Sequence, residues 1–293
     1  MNLGETAAAM AVRVTQITTS EVQRVAAFLH AHLNSRVPVD GWRRALDVPW
    51  KVDAPNHGFM LVDDAQNVVG ALLAFYSERV VDGRPERFCN LGAWCVLPEH
   101  RFHSLKLLKT ALAQEGLHFT DLSPSGNVVG INERLKFTHL DTATALSVNL
   151  PWPSLSGRVS SDPRVIEDTL SGRDLELYRD HADAAAAHHV VLRKGDEWCY
   201  VVFRRDRRKN LPLFASLLYV SNPDLFRRMA RPFARHLLLR HRIPATLVEQ
   251  RVAGHRPWPS IQLRAPRRKM FRSATLAPEQ IDYLYSELVC VAW

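Results

Sequence analysis

Cysteine is scarce in this chain. Cys89, Cys95, Cys199 and Cys290 are the only four among 293 residues, and no two form a Cys-x-x-Cys pair. On one strand, Cys89 and Cys95 would lie about 20 Å apart at a rise of about 3.3 Å per residue, so neither a disulfide framework nor a zinc site is expected. His181, His188 and His189 flank an alanine run without a carboxylate or cysteine at a metal-ligand spacing, and no metal is expected there either. No apolar run approaches the roughly 20 residues of a membrane span. The start, Met1 to Met10, has an alanine-rich patch but lacks the basic flank and long apolar stretch of a secretory leader. The expectation is a cytoplasmic protein with no membrane partner.

What is present bounds the class. A 46% hydrophobic composition suffices for packed cores, and 293 residues suit two domains of about 100–200 residues each. Proline, serine and glycine interrupt the periodic pattern at Pro151-Trp152-Pro153-Ser154-Leu155-Ser156-Gly157. That places one domain over 1–150, a linker over 151–163 and a second domain over 164–293. Apolar periodicity in the first reads as a strand over 12–18, a helix over 21–34, a hairpin of 58–63 with 68–76 around Gln66-Asn67, and a strand over 88–96. A strand over 118–122 and a helix over 128–137 follow. In the second, 166–179 and 182–190 read as helices and 197–205 and 213–220 as strands. Ser221-Asn222-Pro223 then opens a helix to about residue 240, with a strand over 245–250 beyond it.

Charge is uneven. Residues 1–160 are close to neutral and 161–199 acidic, whereas 200–275 carry an excess of roughly fifteen positive charges. Arg227, Arg231 and Arg235 follow an i, i+4, i+8 spacing that puts them on one helix face. Arg204, Arg205, Arg207, Arg208, Lys209 and Arg267-Arg268-Lys269 stand around them. Such a face suits tRNA, an acidic carrier protein or a phosphorylated substrate; a solvated, arginine-rich surface accounts for it equally well.

The densest chemistry lies at 94–116, where a β-rich run turns through Pro98-Glu99-His100-Arg101 into an amphipathic helix. The first-turn N–H groups of a helix lack internal partners and carry the positive end of the macrodipole, so this arrangement makes an anion site. Arg101, His103, Ser104, Leu105 and Lys106 stand at that helix start. Downstream, the Asp121-Leu122-Ser123-Pro124-Ser125-Gly126-Asn127 loop offers a carboxylate and hydroxyls.

The 94–116 segment resembles the acyl-CoA pyrophosphate loop of the GCN5-related N-acetyltransferase superfamily. There a strand ending Val-x-Pro-Glu-Tyr-Arg is followed by Arg/Gln-x-x-Gly-x-Gly/Ala. Val96, Pro98, Glu99, His100 and Arg101 match, while Ser104 and Lys106 replace the two small residues. A second match is Asn132-Glu133-Arg134-Leu135-Lys136-Phe137, against a Tyr-Glu-Lys-Leu-Gly-Phe-like run. Asn132 occupies the place of the tyrosine that protonates the departing thiolate in many members. An amide cannot serve as that acid, but it can hydrogen-bond a thioester.

The resemblance implies an α/β fold with α+β mixed sheets, and two such domains in tandem, the second degenerate because 197–250 echoes the strand–helix–strand order. It implies acyl-CoA, acetyl-CoA first, as co-substrate. The backbones of Trp94, Cys95 and Val96 would hold the pantetheine arm, with Asp121 as base, and Ser123, Asn127 and Asn132 orienting the acyl group. The carboxylate that many members carry before the loop is missing, since Asn90, Leu91, Gly92 and Ala93 occupy those positions. Three functions remain open at this point. The first is transfer of an acyl group from acyl-CoA to a small-molecule amine by direct attack. The second is tRNA-dependent aminoacyl transfer of the tandem Fem type, and the third a non-catalytic scaffold on a decayed fold.

Overall fold

The computed structural model describes residues 12–153, 157–208 and 211–293. Its first sheet begins with β1 (Arg13–Gln16) and runs through β2 (Gly58–Val62), β3 (Val68–Val81) and β4 (Arg84–Val96), all antiparallel. Two turns set the register. At the first, Asp63 accepts the Asn67 N–H and Gln66 takes φ 65°, in line with the hairpin read around Gln66-Asn67. At the second, Asp82 and Gly83 have φ of 49° and 80°, a two-residue turn whose twist suits a hairpin. Its tight closure prolongs β3 past the expected end at 76 and starts β4 before the expected 88. Helices α1 (Val22–His32) and α2 (Val39–Leu46) separate β1 from β2 and bury Val25, Phe28, Leu29 and Trp42. Each large side chain so buried contributes about 1.5–3 kcal/mol.

β4 passes through a 3₁₀ turn (Pro98–His103) into α3 (Ser104–Leu112) and then β5 (His118–Asp121). β5 lies parallel to β4, but the pairing covers only Phe88, Cys89 and Asn90 against His118, Phe119 and Thr120. Beyond Asn90 the two strands part, and a fork opens between them. α4 (Gly126–Arg134), β6 (Thr138–His139) and β7 (Thr144–Val148) follow.

A second seven-stranded sheet repeats this order. β8 (Arg158–Ser160) leads to α5 (Pro163–Thr169) and α6 (Gly172–His181). β9 (His188–Lys194), β10 (Glu197–Arg208) and β11 (Leu211–Val220) form an antiparallel run. α7 (Pro223–Arg228) and α8 (Ala230–His241) then lead to β12 (Ala245–Glu249), parallel to β11 at Phe214, Ala215 and Ser216. α9 (Gln250–Ala253), β13 (Ile261–Gln262), β14 (Met270–Arg272) and α10 (Glu287–Cys290) complete the chain.

The halves exchange strands. The sheets run β1-β2-β3-β4-β5-β14-β6 and β8-β9-β10-β11-β12-β7-β13. Thus β7, on the N-terminal side of the break expected at 151, sits in the second sheet, and β14 returns to the first. The division by sheets therefore does not coincide with the Pro-Trp-Pro segment, whose residues 154–156 lie outside the described ones. A shared core explains the exchange: Leu73 and Phe88 of the first sheet cluster with Tyr200, Val202 and Leu218 of the second and with Tyr283 near the C-terminus. Three other expectations need correction. The helix expected over 166–179 breaks at Leu170 (φ −78°, ψ 148°) into α5 and α6. No helix spans 182–190, because α6 stops at His181 and the Ala186 N–H donates to the Val289 carbonyl at 2.9 Å, leaving β9 to start at His188. The helix expected over 221–240, with Asn222 or Ser221 as its cap, is capped by Asn222 but breaks at Met229 (φ −107°, ψ 14°) into α7 and α8.

Candidate active site at the first fork

The fork carries a bulge. Leu73 pairs with Gly92 and Ala71 with Cys95, so β4 holds one residue more than β3 across that stretch. A bulge leaves the extra residue out of the ladder. Ala93 takes φ 51° there, a left-handed conformation costing a non-glycine residue about 1–3 kcal/mol. Two cavities meet at this point and share Trp94, Ser125 and Val128. One, of about 660 Å³, is lined by Trp94, Cys95, Val96, Arg101, Ser104 and Asn127. The other, of about 500 Å³, is lined on the fork side by Gly92, Ala93, Trp94, Asp121 and Ser123. The Trp94 Nε1 is buried without a partner, a donor in want of an acceptor at the junction.

Six of the nine residues expected to hold a thioester cofactor thus share one cavity. His103, Leu105 and Lys106 do not line it; His103 stacks on the exposed Phe102, with ring centroids 4.4 Å apart. The anion loop also differs from its expected form. The Ser104 N–H donates to the Arg101 carbonyl within the 3₁₀ turn, so the donors expected free at residue 104 are already spent. On this side Arg101 and Ser104 line the cavity wall. Cys95 is half-buried, and that burial raises its thiol pKa, which keeps it protonated and poorly nucleophilic.

Asn132 is 1% exposed and turned away from the groove, its Nδ2 donating to Asp121 Oδ2 at 2.8 Å. The amide expected at the acyl group instead holds the acid. Burial pushes the Asp121 carboxyl up to about 6, against the lowering effect of the Asn132 and Ser123 hydrogen bonds.

A second carboxyl, absent from the sequence reading, completes the cluster. Glu287, at the start of α10, is fully buried, and its N–H donates to Asn90 Oδ1 at 2.9 Å. It lies against Gly92, where an added Cβ would come within 3.0 Å of the Glu287 Cβ. The stretch 90–93, which has no acid of its own, receives one from the far end of the sequence. Ser123 Oγ donates to Glu287 Oε1 at 2.8 Å, and Oε2 has no partner. Burial, then the nearby Asp121 charge, push the Glu287 carboxyl up to about 7. The available signal was Asn90 and Gly92, one polar and one small residue inside the otherwise apolar run 88–96 of β4. Both positions demand an incoming partner, but nothing local names it.

The basic half does not present the single face expected of it. The break at Met229 puts Arg227 on α7 and Arg231 and Arg235 on α8. Arg227 pairs with Asp224, and Arg231 lies over the Trp152 ring at 5.0 Å. Arg204 is buried and bonds Asp206 and the Leu288 carbonyl, while Lys269 is buried against Glu249. Lys209 lies outside the described residues. Surface basic charge gathers elsewhere, at the mouth of the 500 Å³ cavity. His181 and His189 are engaged in hydrogen bonds to Leu177, Tyr285, Tyr200 and the His181 carbonyl. Among the described residues no cluster of His, Cys, Asp or Glu is placed to hold a metal, and no helix is long and apolar enough to cross a membrane.

No protein-family model matches the chain, and no curated protein matches it in sequence. Solved structures do match in shape. A GCN5-related N-acetyltransferase from Anabaena variabilis superposes with a TM-score of 0.57 at 12% identity, over 89% of this chain and 72% of that one. A proposed acetyltransferase from Pyrococcus horikoshii gives 0.56 at 11% identity, over 96% of each chain. A GCN5-related N-acetyltransferase from Kribbella flavida gives 0.54 at 14% identity, over 92% and 72%. With its mixed sheets, forked parallel strands and bulge, the chain has the α/β fold of the GCN5-related N-acetyltransferases.

Proposed function

We propose that this protein is an acyltransferase that moves an acyl group, acetyl first, from acyl-CoA to an amine by direct attack. The observation that carries the reading is the fork itself: two cavities join at a bulged strand, and a buried carboxyl reaches the junction through a serine hydroxyl. The larger cavity suits the pantetheine and pyrophosphate, with Arg101 and Ser104 facing the phosphates and the 94–96 backbone facing the amides. The unpaired backbone of the bulge at Ala93 polarises the thioester carbonyl, an interaction that strengthens as the oxygen gains charge. The amine enters from the smaller cavity. As its nitrogen bonds to the carbonyl carbon, its proton passes to Ser123 Oγ and the Ser123 proton passes to Glu287 Oε1. A base with a pKa of about 7 is half ionised near neutrality and suits this task. The tetrahedral intermediate then collapses with loss of the thiolate, a far weaker base than the nitrogen anion that would otherwise leave, so that it departs without an acid. No tyrosine is needed at Asn132, which serves by holding Asp121.

Thermal-shift titration with CoA and acetyl-CoA tests the donor site. Saturating ligand stabilises by RT ln(1 + [L]/Kd), about 2.7 kcal/mol at a hundredfold over Kd. The expected result is a saturable rise in Tm, lost in Ser104→Trp, whose indole fills the larger cavity. No rise with any thioester removes the acyl-CoA reading and leaves the tRNA-dependent and non-catalytic ones.

A further inference from the structure

The smaller cavity is electrically polarised along its length. Its lining includes the buried carboxyl of Asp121 and the exposed Ser123, whose hydroxyl is backed by the buried Glu287, and four exposed arginines, Arg36, Arg207, Arg267 and Arg268, which stand at its mouth. Between them the walls are apolar, with Leu33, Leu72, Leu91, Leu108, Trp94 and Trp293. Asp206 is the acid at the mouth, but it is committed to Arg204 at 3.3 Å, to Ser216 and, more loosely, to Arg267 at 3.5 Å. No carboxylate among the described residues pairs with the guanidinium of Arg36, Arg207 or Arg268, and all three are exposed. Like charges converging on one opening repel unless an anion lies between them. Guanidinium groups also match the planar oxygens of carboxylate and phosphate.

We infer that the acceptor is an amine carrying an anionic group at the far end of an apolar spacer. The amine points down to Ser123, and a carboxylate or phosphate is held at the mouth by Arg207, Arg268 and Arg36. This deepens the acyltransferase reading and rests on it for the reaction, though not for binding. A volume of about 500 Å³ falls within the ordinary range for small-molecule sites. The first half contributes Asp121, Ser123 and Arg36, the second half Glu287 and the other three arginines, so the acceptor site exists only because the two halves are joined.

The test measures release of CoA thiol from acetyl-CoA with four probes of six carbons each: n-hexylamine, hexamethylenediamine, ε-aminocaproate and ω-aminohexyl phosphate. Calorimetric binding of each without thioester is measured in parallel. The expected result is kcat/KM for an anionic amine above that for hexylamine by on the order of tenfold or more, the size of one charge-assisted hydrogen bond, with hexamethylenediamine lowest. The carboxylate and phosphate arms tell the two anions apart. In Arg207→Glu with Arg268→Glu, two exposed positions, the order reverses toward the diamine through KM. Acetyl-CoA binding without preference for the anionic amines overturns this inference and leaves the transferase reading standing. No thioester binding, with calorimetric binding of ε-aminocaproate that is lost in the double variant, removes the transferase reading and keeps this one. Neither signal overturns both.

Discussion

The two halves of this molecule share one device and use it oppositely. In each, a strand pairs in parallel with its neighbour for three residues and then departs: β4 from β5 after Asn90, β11 from β12 after Ser216. In each, the departing strand is bulged, with register shifts opposite Gly92–Cys95 and opposite Leu217–Tyr219. The first fork is left open and becomes two joined cavities. The second is filled by the chain itself: α9 follows β12 directly, and Ala253 is buried with Leu217, Val220, Leu225 and Phe226. Gly254, at φ 71°, sits so close to α7 that an added Cβ would fall 2.8 Å from the Pro223 Cβ. The first-turn donor of α7 that an anion would want is already taken, because Asn222 accepts the Leu225 N–H at 3.0 Å. Acids differ in the same sense. Among the described residues Asp121 and Glu287 form no ion pair, whereas Glu249, just beyond the second fork, is neutralised by Lys269 and bonded by the Tyr283 hydroxyl. A forked strand pair creates a gap by topology alone, and the side chains that follow decide whether it becomes a site or a core.

The sharpest way to break this comparison is Glu287→Gln, which keeps the shape of the open fork and removes its base. We expect kcat/KM to fall by about 10²–10⁴-fold, the usual contribution of a general base, with the thermal shift from CoA retained. The wild-type rate should rise with pH through about 7, where the Glu287 carboxyl ionises, and the variant should lose that limb. An unchanged rate and profile would mean that the buried acid is structural and that the forks differ only in packing.

A smaller effect separates filled from open more directly. Gly254→Ala places a methyl group against Pro223 in a left-handed conformation, and we expect a loss of about 1–3 kcal/mol in thermal or denaturant unfolding. Gly130→Ala, on α4 beside the open fork with nothing within 4 Å of the added Cβ, should gain about 0.5–1 kcal/mol. Equal effects would mean that the second fork is not the packed one.

How much of this was legible in the sequence follows from the range of each interaction. The strand order of the first half, the Gln66-Asn67 hairpin and the Asn222 cap are local, and each was readable because a few neighbouring residues determine it. The cavity lining at Trp94, Cys95, Val96, Arg101 and Ser104 was readable from one contiguous motif. Glu287 was not, because Ser123, Asn90 and Gly92 meet it only when the C-terminal segment crosses back over the first sheet. The exchange of β7 and β14 was hidden for the same reason, since short strands gain identity from their partners. The single arginine face failed because periodicity cannot see the break at Met229, which tertiary packing imposes.

The smallest expected effect compares the halves through their stability against pH, where the signs oppose. In the first half, burial raises Asp121 to about 6 and Glu287 to about 7 from ordinary values of 3.8 and 4.5. The folded state then holds protons that the unfolded chain releases, so this contribution is fully present below about pH 4 and is lost as pH rises through 6 and 7. In the second half, burial first, and neighbouring cationic or imidazole groups next, depress His188, His189 and His241 to about 4 from 6.5. There the unfolded chain takes up protons that the folded state refuses, so stability is present above 6.5 and lost as pH falls toward 4. Three imidazoles outweigh two carboxyls over the interval they share, which places maximal Tm near pH 6–7. Glu287→Gln should remove the decline on the alkaline side and steepen the rise on the acid side, because this carboxyl opposes the imidazoles between its ordinary 4.5 and about 7, while His241→Asn should flatten the acid side alone. A His241→Asn variant that altered both limbs equally would show the two halves to be one titrating unit, joined through the Tyr283–Val291 segment that packs against each.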